Sequence, residues 1–225
     1  MEELKAINTR RKFITTLATG TAAGVITFTS PLAIKGAYGK TTAKDADEWF
    51  KLAKGRHRIV YDASEPHQGL PLIWTWVFYH TNNNTGTADN DMTAMVVLRH
   101  NAIPFAMEDR LWEKYSLGEF FNITDNATQQ PSRRNPYYVP KDGDYPVPGI
   151  DGIKRLQERG AMFCVCDMAL TVYSGLVAKK HNLNADEVKK DWVASIHKDI
   201  QIVPSGVWAI GRAQENRFAY CYAGG

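Results

Sequence analysis

The sequence predicts a three-layer α/β domain over residues 41–225, a Rossmann-like (flavodoxin-like) sheet of about five mostly parallel strands with a long Pro/Tyr-rich insertion at about 104–149. Three observations carry this. Short apolar runs of strand length recur along the chain and alternate with segments of helical length, the order that builds a parallel sheet between helical layers. The first two runs flank the apolar helical stretch Leu70 to His80, a βαβ unit of the usual right hand. The third run, Ala161 to Val165, ends in Cys166-Asp167, a strand-to-helix turn with Asp167 as a favoured N-cap type.

Taken in order, residues 1 to about 40 read as an export signal. Thr9-Arg10-Arg11-Lys12-Phe13-Ile14 is a twin-arginine pattern, and a mildly apolar segment rich in Thr, Ala and Gly follows it to Ile34. Its interruption by Thr, Gly and Pro argues against an ordinary spanning helix, which needs about 20 predominantly apolar residues. The pattern is similar to signals of the Tat pathway, which implies export of a folded protein to the periplasm or its equivalent. Ala37-Tyr38-Gly39 offers small residues for cleavage without a clean Ala-x-Ala, so retention as a membrane anchor stays open.

A short helix within Thr41 to Gly55 leads to the first strand, His57 to Tyr61, which ends in the loop Asp62-Ala63-Ser64-Glu65-Pro66. In the next helix Trp74, Trp76, Phe78 and Tyr79 serve core and interface rather than a stacking platform. The second strand is Thr93 to Leu98, closed by Arg99-His100-Asn101. A helical piece at Pro104 to Tyr115 opens the insertion, and Thr124 to Pro148 holds five prolines. Loops of that length usually carry function or disorder. Phe120-Phe121 and Tyr137-Tyr138 make it a packed segment, either a lid over Cys166 or a subunit contact.

Regular alternation returns with a helix at Ile150 to Arg159, a strand to Cys166 and a helix at Met168 to His181. An amphipathic helix from Asn184 through His197 presents Val188, Trp192, Val193 and Ile196. Asp199 to Val203 is the fourth strand, Pro204-Ser205-Gly206 a turn, Val207 to Asn216 a helix and Phe218 to Tyr222 the last strand.

The totals bound the function. The chain has 225 residues, 44% hydrophobic and 23% charged, as an ordinary globular protein does. Taking the six basic and two acidic residues of positions 1–40 from 27 and 24 leaves 21 and 22, a balance of −1, so no basic surface argues for nucleic acid. Three cysteines do not make a disulfide framework. Cys164 and Cys166 in one extended strand stand roughly 6.5–7 Å apart, at or beyond the disulfide limit. With strands in the order 2-1-3-4-5, Cys221 lies two strands from Cys164, about 10 Å away. Three free thiols are expected.

Cys166 is the candidate nucleophile. A strand-to-helix turn at the carboxyl edge of a parallel sheet presents main-chain N–H groups and the positive end of the helix dipole, and a thiolate is an anion. A buried Cys at a strand end is more ordinarily a small core residue, and Cys164 is read that way. Arg99, His100, His67, Ser205 and Gly206 are the candidate ligand-binding residues because they follow other strands on the same edge. His67, His80 and His100 with Cys164 and Cys166 form the alternative, a Zn or Cu site, although no HxxxH, CxxC or CxxCH spacing supports it. An anion site without catalysis, using Ser205, Gly206 and Arg99 or Arg133-Arg134, is a further alternative. The Gly-x-Ser-x-Gly elbow of hydrolases is missing, which sets Ser205 aside as a nucleophile.

Cys166 with Ala169-Leu170 after it, Val203-Pro204-Ser205-Gly206-Val207 and the final Ala219-Tyr220 together resemble the DsrE/DsrF-like sulfur-relay superfamily over about Arg58 to Tyr222, the insertion excluded. The resemblance implies a Rossmann-like fold, a homo- or hetero-oligomer of trimeric or hexameric type and, in the relay members, a Cys that carries a persulfide; only Cys166 falls on it. Sulfur-donor or acceptor proteins are the implied partners, and no cofactor is called for. The chain departs from the pattern in its export signal, its insertion, and Ser174-Gly175 where an Arg-Gly pair is common. The competing expectation is a ligand-binding or assembly subunit in which Cys166 is inert and the Tyr/Pro loop makes the contact.

Overall fold

A computed structural model describes residues 43–223; the export signal expected over 1–40 lies outside the described residues. Helix α1 (Ala43–Trp49) and a 3-10 turn (Phe50–Leu52) precede β1 (His57–Ala63), α2 (Leu70–Asn84) and β2 (Met92–Leu98). A long 3-10 segment (His100–Ala106), α3 (Asp109–Lys114) and α4 (Leu117–Phe120) open the insertion, and α5 (Ile153–Glu158) closes it. Then come β3 (Met162–Cys166), α6 (Asp167–His181), α7 (Ala185–Val193), β4 (Ile200–Val203), α8 (Gly206–Glu215) and β5 (Ala219–Tyr222).

All five strands are parallel and lie in the order β4-β3-β2-β1-β5. This corrects the order 2-1-3-4-5: the chain winds steadily from β1 to β4, and β5 pairs with the far side of β1. Cys221 is therefore three strands from Cys164, about 14 Å at ordinary spacing. All three cysteines are free, as expected.

Period-two alternation divides the sheet between two cores. Tyr61, Ala63, Ala94, Val96, Leu98, Phe163 and Val165 face the larger core with Leu72, Leu170 and Trp192. Val60, Met95, Val97, Met162, Cys164 and Val203 face the smaller one, with Ala209, Ala213 and Phe50. Helix bounds shift modestly from the sequence reading: α2 runs on to Asn84, where the side-chain amide of Asn82 and the hydroxyl of Thr81 donate to carbonyls one turn back, whereas α7 stops at Val193 rather than His197 and α5 covers only Ile153–Glu158. β1 runs on to Ala63, which brings Asp62 into the sheet.

The insertion is pinned by buried polar groups rather than by apolar periodicity. Asp144 accepts from Arg134 Nη2 at 2.5 Å and from the Lys141 N–H at 2.6 Å. The Asn135 side chain donates to the carbonyls of Phe105 and Met107. Tyr137 packs edge-on against Phe105, and Tyr138 stacks on His197 at 3.4 Å. These contacts seat it along the sides of the helical layer near Phe105 and His197.

On the same side Asp191 of α7 accepts from Arg110 and Lys114 of α3 and from the Tyr115 hydroxyl, at 2.7–2.8 Å. Burial pushes its carboxyl up, but the Lys114, Tyr115 and Arg110 hydrogen bonds outweigh burial and hold it at about 2. Its contribution is fully present above the ordinary carboxylate value of about 3.9 and is lost as pH falls toward 2. Arg110 and Lys114 are about half exposed, so the contribution is at most about 1 kcal/mol. Asp191→Asn is expected to lower the urea midpoint at pH 6 and to lower it much less at pH 2, where the carboxyl is about half protonated; equal deficits at both values would show that the charge is not what matters.

Candidate functional site at the carboxyl edge

Cys166 is itself the N-cap of α6, with Asp167 the first helical residue, which corrects the N-cap expectation. The physical reason is conformational. Cys166 keeps strand dihedrals (φ −76°, ψ 112°), and its Sγ accepts a hydrogen bond from the Ala169 N–H at 3.3 Å, the place a Ser hydroxyl usually takes. Asp167 instead sits in the first turn, where a carboxylate complements the helix dipole, and ion-pairs with Lys189 of α7 at 3.0 Å. Lys189 also donates to Thr171, so α6 and α7 are locked together next to the sulfur.

Register places Arg99 beside Cys166. Leu98 pairs with Val165, so the next residue of each chain stands side by side at the ends of β2 and β3. Leu98 and Val165 face the larger core, and alternation sends Arg99 to the opposite face, where its stem meets Gly206; Cys166 pairs in register with Val203 while its sulfur turns toward α6. As the last residue of its strand, Cys166 also touches the larger core. The Arg99 guanidinium lies within electrostatic reach of the Cys166 sulfur.

Two residues that sequence reasoning missed hold that arginine. Asp62, 3% exposed, takes Arg99 Nε at 2.6 Å and Nη2 at 3.0 Å in a two-pronged pair. The Tyr220 hydroxyl donates to the same carboxylate at 2.9 Å. Asp62 holds the guanidinium still more firmly protonated, and partial burial followed by the Asp62 hydrogen bond pushes the Tyr220 phenol up. The stem of Arg99 lies on Gly206, where a Cβ would stand 2.7 Å from Arg99 Cβ and Cδ. The available signal was Asp62 itself, an acidic residue closing the apolar strand HRIVYDA, because a carboxylate buried there requires a partner.

The other expected residues divide. Ser205 caps α8, its hydroxyl accepting from the Trp208 N–H at 3.2 Å, so its oxygen serves the helix. His100 has a left-handed backbone (φ 51°) and joins a second constellation: Nδ1 shares a hydrogen bond with the Tyr173 hydroxyl, and Nε2 lies 3.5 Å from Glu65. Burial and then Glu65 push the Tyr173 phenol up. His67 opens a run of three positive-φ residues, His67, Gln68 and Gly69, that turns the chain from β1 into α2. Among the described residues no group of three or more His, Cys, Asp or Glu side chains could hold a metal ion, so His67, His80, His100, Cys164 and Cys166 do not converge as the metal alternative required. Arg133 and Arg134 lie apart, lining a cavity of 720 Å³ beside Trp112.

Cys166 is 6% exposed, and a cavity of 1030 Å³ lies at the amino end of the sheet beside Thr93, Gly160 and Met162. Burial pushes the Cys164 thiol far up, in keeping with a packing role. What the carboxyl edge offers chemically is one thiol seated on the Ala169 N–H at the start of α6, with a braced guanidinium at the end of the adjacent strand.

No family model matches the chain, and no curated protein matches it. Among solved structures it is similar to MTH1491, a protein of unknown function from Methanobacterium thermoautotrophicum, at 15% identity over 74% of this chain and 99% of that one, with a TM-score of 0.39.

Proposed function

We propose that this chain is an exported, DsrE-like thiol protein that carries sulfane sulfur as a persulfide on Cys166. The single observation that carries the reading is the seat of the sulfur: Cys166 Sγ caps α6 through the Ala169 N–H, with Arg99 on the neighbouring strand end. Both groups favour negative charge on the atom that must act as a thiolate, and they would favour the persulfide anion in the same way. With inorganic polysulfide the balance is simple. The thiolate attacks a sulfur of the polysulfide dianion, a new S–S bond forms, and a polysulfide one sulfur shorter leaves with the electron pair.

Intact-mass measurement after polysulfide treatment tests this. Wild type is expected to gain about 32 Da at Cys166 and to lose it on reduction, while Cys166→Ser gains nothing there. Labelling confined to Cys221, or absent altogether, would return Cys166 to the core and leave the assembly reading in its place.

A further inference from the structure

The carboxyl edge holds more machinery than a persulfide carrier needs. Arg99 is the focus: β1 supplies its carboxylate partner Asp62, β5 supplies the Tyr220 hydroxyl that braces that carboxylate, and α8 presents Gly206 so that its stem can lie flat. Asp62 occupies two of the five N–H bonds of a guanidinium, Nε–H and one on Nη2. Three remain, and the side chain is 27% exposed. A planar fork held in one orientation, with donors to spare and a thiol at the end of the neighbouring strand, matches an oxyanion group attached to the atom under attack.

We infer that Arg99, positioned by Asp62 and Tyr220, clamps the oxyanion end of the sulfur donor, and that the donor is therefore a sulfane of the thiosulfate class. The inference rests on Cys166 being the reactive thiol. The step balances without an added oxidant. The Cys166 thiol gives its proton to water, and the thiolate attacks the outer sulfur of thiosulfate. The bond to the sulfonate sulfur breaks, and sulfite leaves with the electron pair, so the total charge is −3 on each side. Arg99 meets the departing sulfite oxygens as their charge develops. Asp62 and Tyr220 act through Arg99 as positioning residues.

A pair of reagents differing only in charge separates clamping from folding. In the full chain, peptide-resolved mass spectrometry follows alkylation of Cys166 by anionic iodoacetate and by neutral iodoacetamide, with the half-buried Cys221 as the internal reference. Iodoacetate is expected to be favoured at Cys166 relative to Cys221. Arg99→Gln should slow both iodoacetate and thiosulfate loading about tenfold while changing iodoacetamide less than about twofold, and Arg99→Lys should restore part of the loss. Tyr220→Phe, which removes one hydroxyl, should give a smaller loss of about threefold with the same charge selectivity, and it keeps the test open should Arg99→Gln fold poorly.

Equal slowing by both reagents in these variants overturns the clamp. Thiosulfate loading at the wild-type rate in Arg99→Gln overturns it too, while leaving the persulfide carrier standing. Charge-selective alkylation without any persulfide does the reverse. A Cys166 inert to both reagents in the native wild type removes both proposals.

Discussion

Gly55→Ala is expected to destabilise the protein by about 2–5 kcal/mol. Gly55 turns the chain into β1 with φ +66°, a left-handed conformation that costs an L-residue about 1–2 kcal/mol. Space adds more: a Cβ there would overlap the carbonyl carbon and oxygen of Asp91 and the amide of Met92, all of them backbone. Relief would have to come from the 3-10 turn before β2, where the Asp91 carbonyl accepts from the Arg56 N–H at 3.1 Å, so the strain would fall at the entry to the β1–β2 ladder. Overpacking of this kind typically costs a further 1–3 kcal/mol or so. Urea unfolding followed by circular dichroism measures the sum, and an unchanged midpoint would show that the turn relaxes freely.

The layers of this fold were legible because they depend on local pattern. The runs HRIVY, TAMVVL and AMFCVC, each followed by turn residues and a helix, announce parallel strands whatever their lateral order. Lateral order is another matter. Which strand lies beside β1 is decided by the crossover α8 and by pairs such as Tyr61 with Cys221, residues too far apart for any local pattern to reveal. The candidate site divided along the same line. Cys166 and Arg99 could be read from their places at strand ends, whereas Asp62 seemed to be loop until β5 extended β1 past it. Asp167 carried the stronger capping propensity, yet Cys166 took the cap because the strand ladder with Val203 holds its backbone extended.

Removing the brace by Asp62→Ala is expected to have the second large effect. The variant leaves the Arg99 guanidinium and the Tyr220 hydroxyl without their shared acceptor at a position only 3% exposed in the wild type. Breaking a fully buried pair costs about 3–5 kcal/mol. Arg99 is 27% exposed and recovers some hydration, so about 2–4 kcal/mol is expected here. Asp62→Asn keeps the shape and one acceptor, and should recover roughly half of the loss. Both variants should also lose the preference of Cys166 for iodoacetate, because an unbraced guanidinium is no longer held in place at the end of β2, next to β3. A stability loss below about 1 kcal/mol in Asp62→Ala, by urea titration at pH 7, would mean that the three side chains are not coupled.

The pairing of β5 with β1 has a consequence for how the chain comes off the ribosome. Asp62 is synthesised 158 residues before the tyrosine that completes its bonding, and until then β1 carries an open edge, with its main-chain groups exposed to any other nascent strand. The tyrosine brace and the closed edge therefore arrive together, and a chain stopped short of Ala219 would lack both and would present a template for aggregation.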